Sequence, residues 1–214
     1  DILFDESLCV QGRNFNNMIW NAFRLVKGWQ VAEAEQPEAN TIAVRWFEAK
    51  LRQASQEIDD LFSKYRISEA LMTVYKLFWD EFSSWYLEMV KPAYGQPIDK
   101  KTYDATLGFF ENLLKMLHPF MPFITEELWQ HIYDRKDGES IMRVKLEIPA
   151  PTADDLKLVE DIENVKQIVA GVRTVRNQKN IANKDSLKLQ TVSENGFAAY
   201  DCVVMKMANL SSID

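Results

Sequence analysis

His118-Pro119-Phe120-Met121-Pro122-Phe123-Ile124-Thr125-Glu126-Glu127-Leu128-Trp129-Gln130 carries two prolines three residues apart, and they dictate where one helix stops and the next starts. Each proline sets one φ angle and removes a backbone donor, so a helix running into His118 must end there. Pro122 suits the first position of a new helix, where the missing N–H costs nothing. Thr125, Glu126 and Glu127 fall near that start, where acceptors and negative charge suit exposed N–H groups. Phe120, Phe123, Ile124, Leu128 and Trp129 are expected to give the corner an apolar mass, which makes it a rigid joint between two helices.

Upstream of the corner, the periodicity predicts a chain of helices. Asn14 to Gly28 places Phe15, Ile19, Ala22 and Val26 at core-facing spacing, with Asn14, Asn17, Asn21 and Arg24 on another stripe. Asn is a poor choice for a merely solvated helix face, because its side chain competes for backbone groups. A row of amides ending in an arginine suits hydrogen bonding to a polar partner, nucleotide bases included; it equally suits bonding between helices of a bundle. Val31 to Asn40 reads as a polar linker. A second helix is predicted from Thr41 to about Lys64, with Lys50 and Arg52 on its less apolar side. A break at Tyr65-Arg66 precedes a third, widely apolar helix that ends at Pro92. Lys100 to Leu117 and Pro122 to about Tyr133 complete the expected set: four antiparallel helices with a fifth packed across them.

Composition changes beyond the fifth helix. Of the 12 Phe, six Trp and seven Tyr residues, only Phe197 and Tyr200 lie beyond residue 134. Residues 135–152 read as a connector with a short extended piece at Ile141 to Ile148. A long helix from Ala153 to Lys179, a strand at Leu187 to Thr191, a helix at Gly196 to Met207 and a second strand from Ser211 suggest a small α/β module over 153–214. The expected organisation is therefore mainly α: a helical bundle over 1–134, then the connector, then the module.

The charge pattern narrows the function. A net charge of −7 argues against a nucleic-acid binder that uses its whole surface, but not against a local basic face. Ser7 to Ala32 contains no acid while holding Arg13, Arg24 and Lys27. From Lys166 to Lys188 the only acid is Asp185, against Lys166, Arg173, Arg176, Lys179, Lys184 and Lys188. There is no Gly-rich phosphate loop, no Cys/His metal spacing and no Ser–His–Asp set, so no catalytic or metal-ligating residue is assigned. Cys9 and Cys202 suggest no disulfide framework, and no apolar run reaches membrane-spanning length, so a reducing cytoplasm is the expectation. The opening Asp1 to Ser7, without an initiator Met, reads as a cut through a longer chain.

The corner His118 to Gln130 resembles a motif of the anticodon-binding helical domain of class Ia aminoacyl-tRNA synthetases. Gln11 to Arg24 and Phe82 to Pro92 are similar to segments of the valyl-tRNA synthetases within that group. Ile162 to Arg176 resembles the small module that follows the bundle there. The resemblance implies a fragment without the catalytic His-Ile-Gly-His and Lys-Met-Ser-Lys-Ser signatures, the editing domain or the C-terminal coiled-coil arm. The parent would join valine to its tRNA with ATP and Mg²⁺, while this piece would hold the valine-specific tRNA as a monomer, with no cofactor of its own and no DNA or membrane partner. The resemblance also implies that Asn21 and Arg24 meet anticodon bases and that Trp85 stacks on one. Met18 departs from it, standing where a basic residue is usual. Together with the stripe and the basic segments, the candidate tRNA-binding set is Asn14, Asn17, Asn21, Arg24, Lys50, Arg52, Trp85, Glu127, Gln130, Arg173 and Arg176. The alternative is a helical protein-interaction module that retains the fold, for which an exposed apolar groove would be expected in place of the Asn/Arg stripe.

Overall fold

The computed structural model describes residues 5–191 and 198–214. They pack as two compact units built from non-contiguous stretches, 5–33 with Tyr94–Glu147, and Ala34–Ala93 with 148–191 and 198–214.

In the first unit, helix α1 (Glu6–Lys27) begins two turns earlier than the periodicity predicts, because Asp5 caps it by accepting from the Ser7 N–H at 2.8 Å. It buries Phe15, Ile19, Ala22 and Val26, the expected set. The stretch read as a linker contains a strand, β1 (Val31–Ala32), paired in parallel with β2 (Ile98–Asp99). Two residues are too few to show a period, so no sequence pattern marks this ladder. Asp99 ends β2 and caps α5 (Lys100–Leu117) by accepting from the Thr102 N–H at 2.8 Å.

The proline corner closes as expected. The Leu117 carbonyl accepts from the N–H groups of Phe120 at 2.9 Å and Met121 at 3.0 Å, and Pro122 opens α6 (Pro122–Ile132). Two details correct the sequence reading. Phe123 is 90% exposed, because the buried side of α6 is Thr125, Leu128, Trp129 and Ile132, and Phe123 points the other way. Thr125, Glu126 and Glu127 do not cap the helix. The Thr125 hydroxyl donates to the Met121 carbonyl at 2.8 Å and meets His118 Nδ1 at 2.7 Å, which ties the two ends of the corner together. Residues 141–148 hold no strand; a single 3₁₀ turn spans Ile141–Arg143.

In the second unit, α2 (Glu38–Ser63) starts directly after Pro37, inside the predicted linker. Just beyond its end stands Tyr65, whose φ of 58° is left-handed, at the expected break. The third predicted helix is α3 (Ile67–Lys76), a π-helical stretch (Leu77–Tyr86) and α4 (Leu87–Val90) in one run. In the π stretch the Leu87 N–H donates to the Phe82 carbonyl five residues back, a wider turn than an α-helix makes. Phe47 from α2 lies 5.2 Å from Phe82 and 5.0 Å from Tyr86, with Phe78 at 5.5 Å from Phe82. Each such buried ring is worth about 1.5–3 kcal/mol, so this cluster carries much of the unit's stability. The run ends as Pro92 demands, with Lys91 extended at ψ 133°.

Helix α7 (Ala153–Gln178) opens on a capping box between Thr152 and Asp155, packs against α2, and buries Val159, Ile162, Val165 and Val169. Leu156 and Val175, although apolar, are exposed. Strands β3 (Leu187–Leu189) and β4 (Leu210–Ile213) pair in parallel, and α8 (Asp201–Ala208) lies between them in the chain. Of the helix predicted from Gly196 to Met207, Gly196 and Phe197 lie outside the described residues; a 3₁₀ turn at Ala198–Tyr200 precedes α8. Asn209 ends α8 in the left-handed region, at φ 51°, a conformation Asn tolerates well.

Candidate nucleic-acid interface

The amide stripe of α1 faces solvent. Asn14, Asn17, Asn21 and Arg24 are all exposed, and none of their side chains forms a hydrogen bond or ion pair with another described residue. This removes one of the two uses open at the sequence level: the amides do not bond to other helices among the described residues. Arg13, also exposed, lies on the same side, eleven residues before Arg24 and therefore three helical turns below it. Lys27 is different, since its Nζ donates to the Ile132 carbonyl at 3.2 Å and helps hold α1 to the end of α6.

The α6 candidates of the same unit are occupied. Gln130 Nε2 donates to Glu126 Oε1 at 2.7 Å, within α6, and to the Glu139 carbonyl at 2.6 Å, in the loop after it. Glu126 gathers that loop, accepting from Ser140 Oγ at 2.6 Å and the Ile141 N–H at 3.2 Å. Burial pushes the Glu126 carboxyl upward in pKa, but those bonds, the one from Gln130 and the nearby His118 outweigh it, and the net direction is down. Glu127 is exposed and sits 3.2 Å from His131, one turn on.

The remaining candidates belong to the second unit, where most are committed internally. Arg52 bridges Glu48 at 2.7 Å and Asp155 at 3.1 Å, so its charge is compensated. The Asp155 carboxyl is held below the usual carboxylate range by the Thr152 backbone N–H first, and by Arg52 as well. Lys50 pairs with Glu81 at 3.3 Å. Arg176 is the most deeply engaged of them. It is 2% exposed, and its two terminal nitrogens donate to the carbonyls of Ala182, Asp185, Ala208 and Asn209 at 2.8–3.0 Å. A guanidinium so placed joins α7 to the β3 and β4 region and commits four of its five N–H donors there.

Trp85 is half-buried, with the Arg173 guanidinium 5.4 Å and Lys166 Nζ 5.5 Å from its ring centre. Arg173 itself is exposed and spends one donor on the Met207 carbonyl at 3.3 Å. Lys166 was grouped at the sequence level with the basic segment, yet it is 7% exposed. It bonds to Glu81 and to Glu163, the latter at 2.8 Å, and lies 4.8 Å from the Trp46 ring centre. Its role is to clamp α7 to the π stretch through Glu81. A lysine at a core-facing position, four residues after Ile162 and three before Val169, was the signal for this.

Among the described residues, no group of three or more His, Cys, Asp or Glu side chains is placed to hold a metal ion. No described helix is long and apolar enough to cross a membrane.

Residues 44–191 match a family model described as the anticodon-binding domain of tRNA ligase. A valine–tRNA ligase of Phocaeicola vulgatus is 65% identical over 214 residues, which is 100% of this chain and 24% of that protein. A second, of Parabacteroides distasonis, is 63% identical over 214 residues with the same shares. A third, of Porphyromonas gingivalis, is 57% identical over 215 residues, again 100% and 24%. The chain thus spans about a quarter of the length of the curated relatives it matches.

Proposed function

We propose that this chain, which belongs to the family of anticodon-binding domains of tRNA ligases, reads the anticodon arm of a valine-accepting tRNA as part of a valine–tRNA ligase. One observation carries the reading: the exposed Asn14, Asn17, Asn21 and Arg24 stripe, whose donors and acceptors have no partner among the described residues. Asparagine amides can pair with the edges of unstacked bases, and Arg24 with Arg13 can meet the intervening phosphates. In the second unit, Trp85 and Arg173 are the candidates that keep accessible surface, and they are assigned to the same RNA. Arg176, Lys166, Arg52, Lys50 and Gln130 are assigned to the scaffold.

On this reading the parent ligase attaches valine using ATP and Mg²⁺, in the cytoplasm and as a monomer, and no residue of this chain is assigned to ATP or metal. The polar character of the α1 stripe argues against the protein-interaction alternative, which asks for an apolar groove there.

The deciding experiment titrates the purified chain with valine tRNA and with a non-cognate tRNA over a range of salt concentrations. The expected result is tighter binding of valine tRNA, with a shallow salt slope because few phosphates are neutralised. Equal affinity for both tRNAs at every salt concentration would sink the proposal. In a companion assay the chain alone is expected to give no valine-dependent ATP–pyrophosphate exchange.

A further inference from the structure

We infer that Trp20 is a base-stacking residue beside the α1 stripe, an inference that rests on the RNA-reading role proposed above. Trp20 stands three residues after Asn17 and four before Arg24, so it shares a side of the helix with both. It is 40% exposed, although tryptophan is a residue that folding usually covers. Trp29 is half-buried, and the other four tryptophans are each covered or engaged. Trp46 and Trp129 are buried, with Trp129 Nε1 donating to Glu111 at 2.8 Å. Trp79, at 37% almost as exposed, is stacked on Tyr75 at 5.8 Å, and Trp85 lies beside two cations. Trp20 has no cation at its ring, and its indole N–H has no acceptor among the described residues.

The ring is nevertheless held in place. Phe23 lies 6.4 Å away, tilted by 42°, and Phe23 is itself backed by Phe110 of α5 at 5.8 Å. Trp20 is thus supported from the core side and open on the other. Its neighbours on the helix surface are amides and arginines, and no acid occurs from Ser7 to Ala32. A protein partner would need apolar surface continuing past the ring, which Asn17, Asn21 and Arg24 do not supply. An unpaired nucleobase needs what is present: a flat apolar face, amides for its edge and a cation for the adjoining phosphate.

The test uses the full chain and a valine tRNA transcript carrying a single 2-aminopurine in the anticodon loop. Trp20→Leu is expected to weaken binding about ten-fold, the scale of one lost stacked base. The salt slope should stay at the wild-type value, since stacking releases no counterion, whereas Arg24→Ala should lower it by about one. Quenching of the 2-aminopurine on binding should be lost in Trp20→Leu and kept in Trp20→Phe, with both variants melting near wild type. Wild-type affinity and quenching in Trp20→Leu, while the wild-type chain binds valine tRNA, would overturn the inference and leave the anticodon reading intact. An affinity loss shared by Trp20→Phe and accompanied by lower melting temperatures in both would overturn it in favour of a packing role. No binding by the wild-type chain would overturn both.

Discussion

Arg24 and Arg176 each stand in the last turn of a long helix, and the fold puts them to opposite uses. A cation there complements the helix dipole in either case, so the sequence position alone gives both the same rationale. Arg176 is 2% exposed and gives its terminal N–H groups to four carbonyls of the following chain. Arg24 is exposed and gives its side-chain donors to no described residue. The difference teaches that a basic residue counts toward nucleic-acid binding only after its internal hydrogen bonds are subtracted. Applied to the expected set, that subtraction finds Lys50, Arg52, Gln130 and Arg176 bonded within the fold, and the α1 stripe without side-chain partners among the described residues.

Substitutions can break or sharpen this contrast. Arg176→Met should have the largest effect, because it leaves four buried or half-buried carbonyls without a donor at a cost of about 1–3 kcal/mol for each fully buried one. A loss of about 3 kcal/mol or more in urea denaturation is expected; wild-type stability would place Arg176 with Arg24. Lys166→Met should cost about 1–3 kcal/mol in the same assay, since Glu81 keeps Lys50 as a second partner and is not left wholly unpaired. Arg24→Ala should lower valine tRNA affinity by roughly 1–2 kcal/mol in low salt while changing stability by less than about 0.5 kcal/mol. A drop in melting temperature without an affinity change would reverse its assignment. Asn21→Ala should cost about 1 kcal/mol in tRNA affinity and slightly stabilise the chain, because Ala is the better helix former at an exposed site.

The smallest effect concerns pH. The folded-state pKa of Glu126 is below its ordinary value of 4.5, so the ionised form is favoured by folding. Its contribution is therefore fully present above about pH 4.5 and is lost as pH falls through the lowered, folded-state value. Glu126→Gln should flatten that acid limb of the stability profile, and an unchanged limb would show that the loop from Ser140 to Ile141 does not depend on the charge.

Much of the helical scheme was legible because its signals are local. Asp99 and His118-Pro119 bracket α5, and Pro122 starts α6, through steric and hydrogen-bonding rules that act within a few residues. The outer stripe of α1 was legible for the same reason, since its residues share one helix. Trp20 was missed there although its spacing from Arg24 was visible, because periodicity places a tryptophan on a face without saying whether anything covers it. The π stretch from Leu77 to Tyr86 was read as ordinary helix, because its wider turn leaves no separate mark in the apolar pattern. The exposure of Phe123 went unread because a helix's first turn projects on all sides, and only the packing of α6 decides which side is covered.

The sequence by itself determined where α5 ends and α6 begins, which α1 residues share a stripe away from the core set, and to which family the motifs point, since each follows from the order and chemistry of near neighbours. Only the tertiary structure decided which charges are free. Arg52 meets Asp155, Lys166 meets Glu81 and Arg176 meets the carbonyls of Ala208 and Asn209 across long stretches of chain. Compensation of a charge depends on distance in space, which falls off within ångströms, and separation along the chain carries no measure of it.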